Sequence, residues 1–137
     1  MVKINLNYQG ELRVAATHAP SQTSLITDAP LDNQGKGESF SPTDLVATGL
    51  GACMATVMGI ASRKHNIDLK GMQIEVTKHM SSDAPRRIVA LDVELKIPHE
   101  VEAAQKKMLE KTALECPVAQ SIHPAIKVNT KFFWKKS

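Results

Sequence analysis

The chain of 137 residues has few cysteines, few aromatic residues and little excess charge. Its two cysteines, Cys53 and Cys116, are too few for a disulfide-dense secreted scaffold or for a four-thiolate zinc site within one chain. Aromatic residues make up 4% of the chain and the net charge is +3, so neither property indicates a nucleic-acid partner. The length and the 42% of hydrophobic residues predict a single globular domain over residues 1–137.

A secretory signal is also missing from the sequence, since the first residues contain no apolar stretch and no small-residue cleavage site. Two free thiols fit a reducing compartment, so we expect a cytoplasmic location. The longest apolar run, Leu45–Ala61, touches the lower length limit for a membrane span. Glycine and alanine are frequent in it, which favours a buried core helix over a membrane partner.

The hydrophobic pattern predicts an α+β protein with the element order βββ-α-ββ-α-α-β. Ser41 is a good N-cap for the first helix, Pro42 suits its first position, and Asp44 places a carboxylate at the positive end of the helix dipole. The long polar segment before Ser41 has the length of a functional loop. The predicted strands cover residues 2–8, 11–16, 23–27, 69–80, 86–98 and 125–134, and the predicted helices cover residues 42–65, 100–115 and 118–123.

Familiar catalytic motifs are missing from the chain. It has no Walker glycine loop, no Cys-x-x-Cys, no His-Glu-x-x-His and no Gly-x-Ser-x-Gly. Its five histidines share no metal-ligand spacing. We therefore expect neither a metal nor a cofactor.

The two cysteines remain as candidates for chemistry. Cys53 lies midway along the apolar helix, where a small core residue is the simpler interpretation. Cys116 precedes Pro117 at the start of a short helix, where unpaired backbone N–H groups are expected to lower the pKa of a thiol, although it is also simply a possible cap. Together, two helix-associated thiols in a reducing compartment suggest a redox pair.

Two charged residues are weaker candidates. Asp44 lies about 13 Å from Cys53 along the axis of the same helix, too far for direct contact, and its alternative role is to complement the helix dipole. Arg13 lies on the second strand, either facing solvent or supplying a guanidinium that stabilises the Cys53 thiolate.

The segment Ser41–Cys53 resembles the OsmC/Ohr family, the osmotically inducible protein C and organic hydroperoxide resistance proteins. Its features are a proline followed by polar or acidic residues and an apolar helix of small residues leading to a cysteine. The second cysteine of the family begins a short helix roughly sixty residues later, as Cys116–Ala119 does here. The segment Ala84–Arg87 is similar to the uncharacterised OsmC-like branch, and the resemblance extends from Lys3 to Trp134.

This resemblance implies an intertwined homodimer whose central helices pack together, with glycines at 49, 51 and 59 allowing close approach. It implies Cys53 as the peroxidatic cysteine, which attacks a hydroperoxide and becomes a sulfenic acid, and Cys116 as the resolving cysteine, which then forms a disulfide. An external dithiol would reduce that disulfide. An apolar pocket at the subunit interface would favour organic hydroperoxides.

One position departs from the peroxidases of this family. Thr43 stands where they carry a glutamate that holds an arginine near the cysteine. Asp44 is the nearest acid to that position, and Arg13 is the nearest candidate for the arginine. The sequence therefore also allows an alternative function, an OsmC-fold dimer that binds a small apolar ligand in its interface pocket and has little or no peroxidase activity.

Overall fold

The computed structural model describes residues 1–136, which form two units: Met1–Val46 and the residues from Ala47 onward. The order of elements is βββ-α-ββ-α-α-β, as the hydrophobic pattern predicts, and the α+β fold class is confirmed. A short 3-10 helix, Leu31–Asn33, lies within the predicted loop.

The first unit is an antiparallel sheet with strands in sequence order. It consists of β1 (Ile4–Gly10), β2 (Arg13–His18) and β3 (Ser24–Asp28). The gap between the predicted strands 2–8 and 11–16 places the first turn at Gln9 and Gly10, and this prediction is wrong by two residues. The register shifts between Tyr8 and Gly10, and the turn falls at Glu11 and Leu12, both with positive φ.

The apolar face of β1 is uncovered within the chain. The alternation of apolar and polar residues along β1 predicts a half-buried strand, yet Ile4, Leu6 and Tyr8 are 57%, 64% and 64% exposed. A row of large apolar side chains in water is unfavourable, because each loses the free energy that burial would provide. The prediction is therefore wrong for the chain alone.

The second unit packs most of helix α1 against a three-stranded sheet. Helix α1 ends two residues earlier than predicted, and Asn66 beyond it adopts the left-handed φ of +54° that often follows a helix. Strand β5 pairs antiparallel with β4 and parallel with β6. The elements are α1 (Pro42–Arg63), β4 (Gln73–Met80), β5 (Ile88–Ile97), α2 (Ala103–Leu114), α3 (Pro117–Ser121) and β6 (Lys127–Trp134).

The start of β4 differs from the prediction by four residues. Residues 69–72 form a turn in which the Met72 N–H donates to the Leu69 carbonyl at 3.1 Å. Gly71 has a φ of +91°, a left-handed conformation that ends the apolar run before the strand begins. Leu69 is nevertheless buried in the core. The apolar pattern over residues 69–72 therefore reflects burial and does not indicate a strand.

The core of the second unit lies between α1 and β5. Apolar and polar residues alternate over the ten residues of β5, which predicts one buried face, and its inward-facing residues from Leu91 to Ile97 are indeed buried. Gly51 brings the helix close to β4, because a Cβ there would lie 2.8 Å from Val76 Cγ2. Within the chain, the close approach that Gly51 allows is therefore between α1 and β4. The largest fully buried side chains include Leu50, Met54, Met58, Leu91, Val93, Leu95 and Leu109.

Helix α1 is apolar around most of its circumference. By length and composition it meets the criteria for a membrane-spanning helix, a weak indication because core helices of soluble proteins also meet them. One third of its most apolar 18-residue window is buried in the chain. Much of the apolar surface of α1 is therefore without cover in the chain alone.

Candidate active site

The start of α1 is fixed by a reciprocal pair of hydrogen bonds. The Asp44 N–H donates to Ser41 Oγ at 3.1 Å, and the Ser41 N–H donates to Asp44 Oδ2 at 2.9 Å. This arrangement is a capping box, with aspartate in the usual place of glutamate. The predicted N-terminus is confirmed, and Asp44 has a structural role at the beginning of the helix that carries Cys53.

Arg13 is held by two carboxylates of the first unit. Its Nη2 lies 3.0 Å from Glu38 Oε1 and 3.6 Å from Asp28 Oδ2. Asp28 is 1% exposed, and its Oδ2 also accepts a hydrogen bond from the Glu38 N–H at 3.0 Å. The buried Oδ1 of Asp28 has no hydrogen-bond partner within the described residues. Arg13 therefore supplies positive charge to a buried carboxylate that water does not reach.

The sequence alone does not identify Asp28 and Glu38 as the partners of Arg13. The signal for Asp28 is its register, since it pairs directly with Arg13 across β2 and β3. That register depends on where the connecting turn falls, which the sequence did not define. Glu38 comes from the loop before α1, and its approach to Arg13 depends on the path of that loop.

Cys116 lies at the N-cap of α3 and is buried, with 1% of its surface exposed. The Ala119 N–H donates to its Sγ at 3.4 Å, and Pro117 occupies the first turn of the helix. The predicted cap is confirmed. Sulfur is a weak acceptor, so this contact positions the thiol more than it stabilises the helix.

Both cysteines lie in the second unit. Cys53 is half-buried on α1 and packs against the core cluster that contains Cys116. Folding thus places in one region of the core two cysteines that lie 63 positions apart in the sequence. No disulfide joins them.

The predicted direction of the Cys116 pKa is wrong. Burial, the largest effect, raises the pKa of this thiol above its ordinary value of 9.0. The hydrogen bond from the Ala119 N–H lowers the pKa, but by less. The neighbouring Cys53 raises the pKa of Cys116 further. Cys116 therefore retains its proton near neutral pH.

This raised pKa predicts a loss of stability at alkaline pH. The folded state holds the Cys116 proton more tightly than the unfolded state, so its contribution is complete below the unfolded pKa. The contribution is lost as the pH rises from about 9 through the folded pKa. We expect the denaturation midpoint of the reduced protein to fall more steeply above pH 9 than that of Cys116→Ala. Equal slopes for the two proteins would contradict this assignment.

A polar network on the opposite face of the sheet is separate from the thiols. His79 Nε2 lies 2.6 Å from Asp92 Oδ2, and Asn129 Nδ2 donates to Asp92 Oδ1 at 2.8 Å. These exposed residues bridge β4, β5 and β6. Hydrogen bonds from Asn129 and His79 lower the pKa of Asp92. Within residues 1–136, no group of three or more histidine, cysteine or acidic side chains is placed to hold a metal ion.

Comparison with known proteins gives one family and several solved structures. The family model described as OsmC-like protein matches residues 35–131. A Psychrobacter arcticus protein, proposed to be an osmotic stress induced and detoxification response protein, is 47% identical, with 96% of each chain covered and a TM-score of 0.91. No curated protein matches the chain.

Two more distant structures share the fold. An OsmC-like protein from Mycoplasma pneumoniae is 15% identical, covers 99% of this chain and 98% of its own, and has a TM-score of 0.82. An organic hydroperoxide resistance protein OsmC from Legionella pneumophila is 18% identical, covers 97% and 96%, and has a TM-score of 0.74.

Proposed function

Since this chain belongs to the OsmC-like protein family, we propose that it is a thiol-dependent reductase of organic hydroperoxides. Cys53 is the peroxidatic cysteine of this proposal and Cys116 is the resolving cysteine. The observation that supports it is the packing of Cys53 against the core cluster that contains Cys116. A resolving thiol must reach the oxidised sulfur, and the shared core region favours such an encounter.

The proposed reaction proceeds in three steps. The Cys53 thiolate attacks the distal oxygen of the hydroperoxide, the O–O bond breaks, and Cys53 becomes a sulfenic acid while an alcohol leaves. Cys116 then attacks the Cys53 sulfur, which forms a disulfide and releases water. An external dithiol reduces the disulfide by thiol exchange and returns both cysteines to the thiol state. We propose the cytoplasm as the compartment, because it keeps such dithiols reduced.

Arg13 and Asp44 have supporting roles in this proposal. We propose that Arg13 is a site residue, with Asp28 and Glu38 restraining its guanidinium. Asp44 acts through the helix, since its capping box fixes the first turn of α1. In this proposal, Thr43 does not take the role that glutamate has at that position in the peroxidases.

We further propose that the protein is a homodimer. The exposed side of α1 carries Gly49, Ala52, Thr56 and Gly59, which are spaced so that they lie on one face of the helix. Within residues 1–136, a Cβ at either glycine would have no heavy atom within 4 Å apart from its chain neighbours and the nearby backbone of α1. Small residues on one face allow two helices to approach closely. A second copy would also cover the apolar side chains that β1 exposes.

Substitution of Gly49 or Gly59 by leucine distinguishes a dimer from a monomer. Among residues 1–136, a Cβ at Gly49 or Gly59 has open space, and Gly49→Leu or Gly59→Leu gains about 0.8–1 kcal/mol of helix propensity. At a close helix–helix contact, the same side chains hold the subunits apart. We expect both variants to raise the dimer dissociation constant at least about tenfold in analytical ultracentrifugation. A monomeric parent, or a gain in stability that does not depend on protein concentration, would contradict the dimer.

A single-turnover experiment tests the function itself. The reduced protein is mixed with one equivalent of cumene hydroperoxide, and free thiols and cumyl alcohol are measured. We expect one alcohol and the loss of two thiols per chain. The alternative, a ligand-binding dimer, predicts unchanged thiols together with a retained apolar molecule in native mass spectrometry of the freshly purified protein.

A further inference from the structure

We propose that the second unit binds a small anionic molecule with an aromatic ring, in a cavity at one end of the β4–β5–β6 sheet. The cavity has a volume of about 390 Å³, which falls in the range of pockets that hold small molecules. Neither cysteine lines it, so this site is separate from the proposed peroxide chemistry. The residues that line it include Gly71, Gln73, Lys96, Pro98, Phe133 and Lys135.

The register of the three strands places the binding groups in one row. Gln73 pairs with Lys96 across β4 and β5, and Lys96 pairs with Phe133 across β5 and β6. All three residues lie on the exposed face of their strands. Neighbouring strands are about 4.8 Å apart, so an amide, an ammonium group and a phenyl ring stand side by side within reach of one small molecule.

The backbone beyond the strand ends closes the cavity on one side. Gly71, with a φ of +91°, brings the turn before β4 close to the end of β5, since a Cβ there would lie 3.5 Å from Pro98 Cγ. The Lys135 N–H donates to the Ile97 carbonyl at 3.0 Å. This bond continues the pairing of β5 and β6 past the strand ends and fixes the backbone of Lys135 at the rim.

The charge of the cavity favours an anion. Two lysines line it and no carboxylate does. Within residues 1–136, neither Lys96 nor Lys135 has an ion pair, so both positive charges are available to a ligand. The surrounding carboxylates lie outside the cavity: Glu75 and Glu94 in the next row of the same sheet face, and Glu100 and Glu102 in a neighbouring cavity that Lys135 also lines.

Phe133 supplies a surface for an aromatic ring. Its side chain is 47% exposed, whereas the other two aromatic residues of β6, Phe132 and Trp134, are half-buried. Covering an exposed phenyl ring recovers the free energy of apolar burial, and another aromatic ring adds a stacking contact. A ring on Phe133 with an anionic group between Lys96 and Lys135 uses all the binding groups of the cavity. An aryl phosphate has both parts.

Three probes test the two requirements separately. 1-Naphthyl phosphate, 1-naphthol and inorganic phosphate are each titrated into the reduced protein and followed by isothermal titration calorimetry. We expect 1-naphthyl phosphate to bind with a dissociation constant below about 1 mM. We expect 1-naphthol, which has the ring without the charge, and phosphate, which has the charge without the ring, to bind at least about tenfold more weakly. Equal binding of 1-naphthol would show an apolar surface only and would overturn the proposal.

Substitutions locate the site. Lys96→Met and Phe133→Ala should each weaken the binding of 1-naphthyl phosphate about tenfold. Lys127→Met is the matched control, because it removes the same charge from the same exposed face of the sheet, where Lys127 pairs with Ala90 at the other end of β6. We expect the control to bind like the parent. Equal weakening by Lys96→Met and Lys127→Met, or no binding to the parent at millimolar concentration, would overturn the proposal and leave the proposed peroxide chemistry untouched.

Discussion

Cys53→Ser is expected to lower the rate of hydroperoxide reduction by on the order of 10³-fold or more. A serine hydroxyl is not ionised near neutral pH and is a poor nucleophile toward peroxide oxygen, so the first step has no substitute. The rate is measured as cumyl alcohol formed per chain in the presence of excess dithiothreitol. The fold should persist, because serine is close to cysteine in size.

A matched control separates loss of the nucleophile from disturbance of the helix. Ala55→Ser adds a hydroxyl to α1 two residues away and leaves both thiols in place, so we expect its rate to stay within a factor of two or so of the parent. If Cys53→Ser reduces the hydroperoxide as fast as the parent, then Cys53 is not the peroxidatic residue.

Arg13→Met is expected to destabilise the protein by about 1–3 kcal/mol, because it leaves the buried Asp28 carboxylate without its cation. The Glu38 N–H then remains as the donor to Oδ2. Adding Asp28→Asn removes the buried charge, and we expect it to restore much of the loss. Urea denaturation of the two single variants and the double variant gives the coupling energy directly.

Arg87→Met is the matched control for this experiment. Arg87 Nη1 lies 3.1 Å from Asp83 Oδ1 in an exposed pair, and exposed pairs contribute little. If Arg13→Met costs no more than this control, Arg13 does not compensate a buried charge. The same variants test whether Arg13 is a site residue: oxidation of Cys53 should be about tenfold slower in Arg13→Met and unchanged in Arg87→Met.

Local features of the structure could be predicted from the sequence because the sequence contains their causes. The alternation in β5 gave its buried face, and Ser41 with Asp44 gave the capping box of α1. The cap at Cys116 followed from Pro117. Each of these depends on residues within a few positions of one another.

Features that depend on distant residues could not be predicted in the same way. The pKa of Cys116 rises because remote core residues bury it, and this effect exceeds the local N–H donor. The partners of Arg13 depend on strand register and on the path of a loop. Whether the apolar face of β1 is covered likewise depends on what packs against it, which the alternation within the strand does not identify. That residues 1–137 form a single domain stays a prediction.

The most direct test of the account is to identify the oxidised cysteines after one equivalent of cumene hydroperoxide. The reduced protein is treated, remaining thiols are alkylated, and the digest is analysed by mass spectrometry. We predict a peptide pair linked between Cys53 and Cys116, with neither residue alkylated. Cys116 alkylated beside a Cys53 oxidised to sulfinic acid, or both cysteines alkylated, would contradict the claim that the two thiols act as a pair.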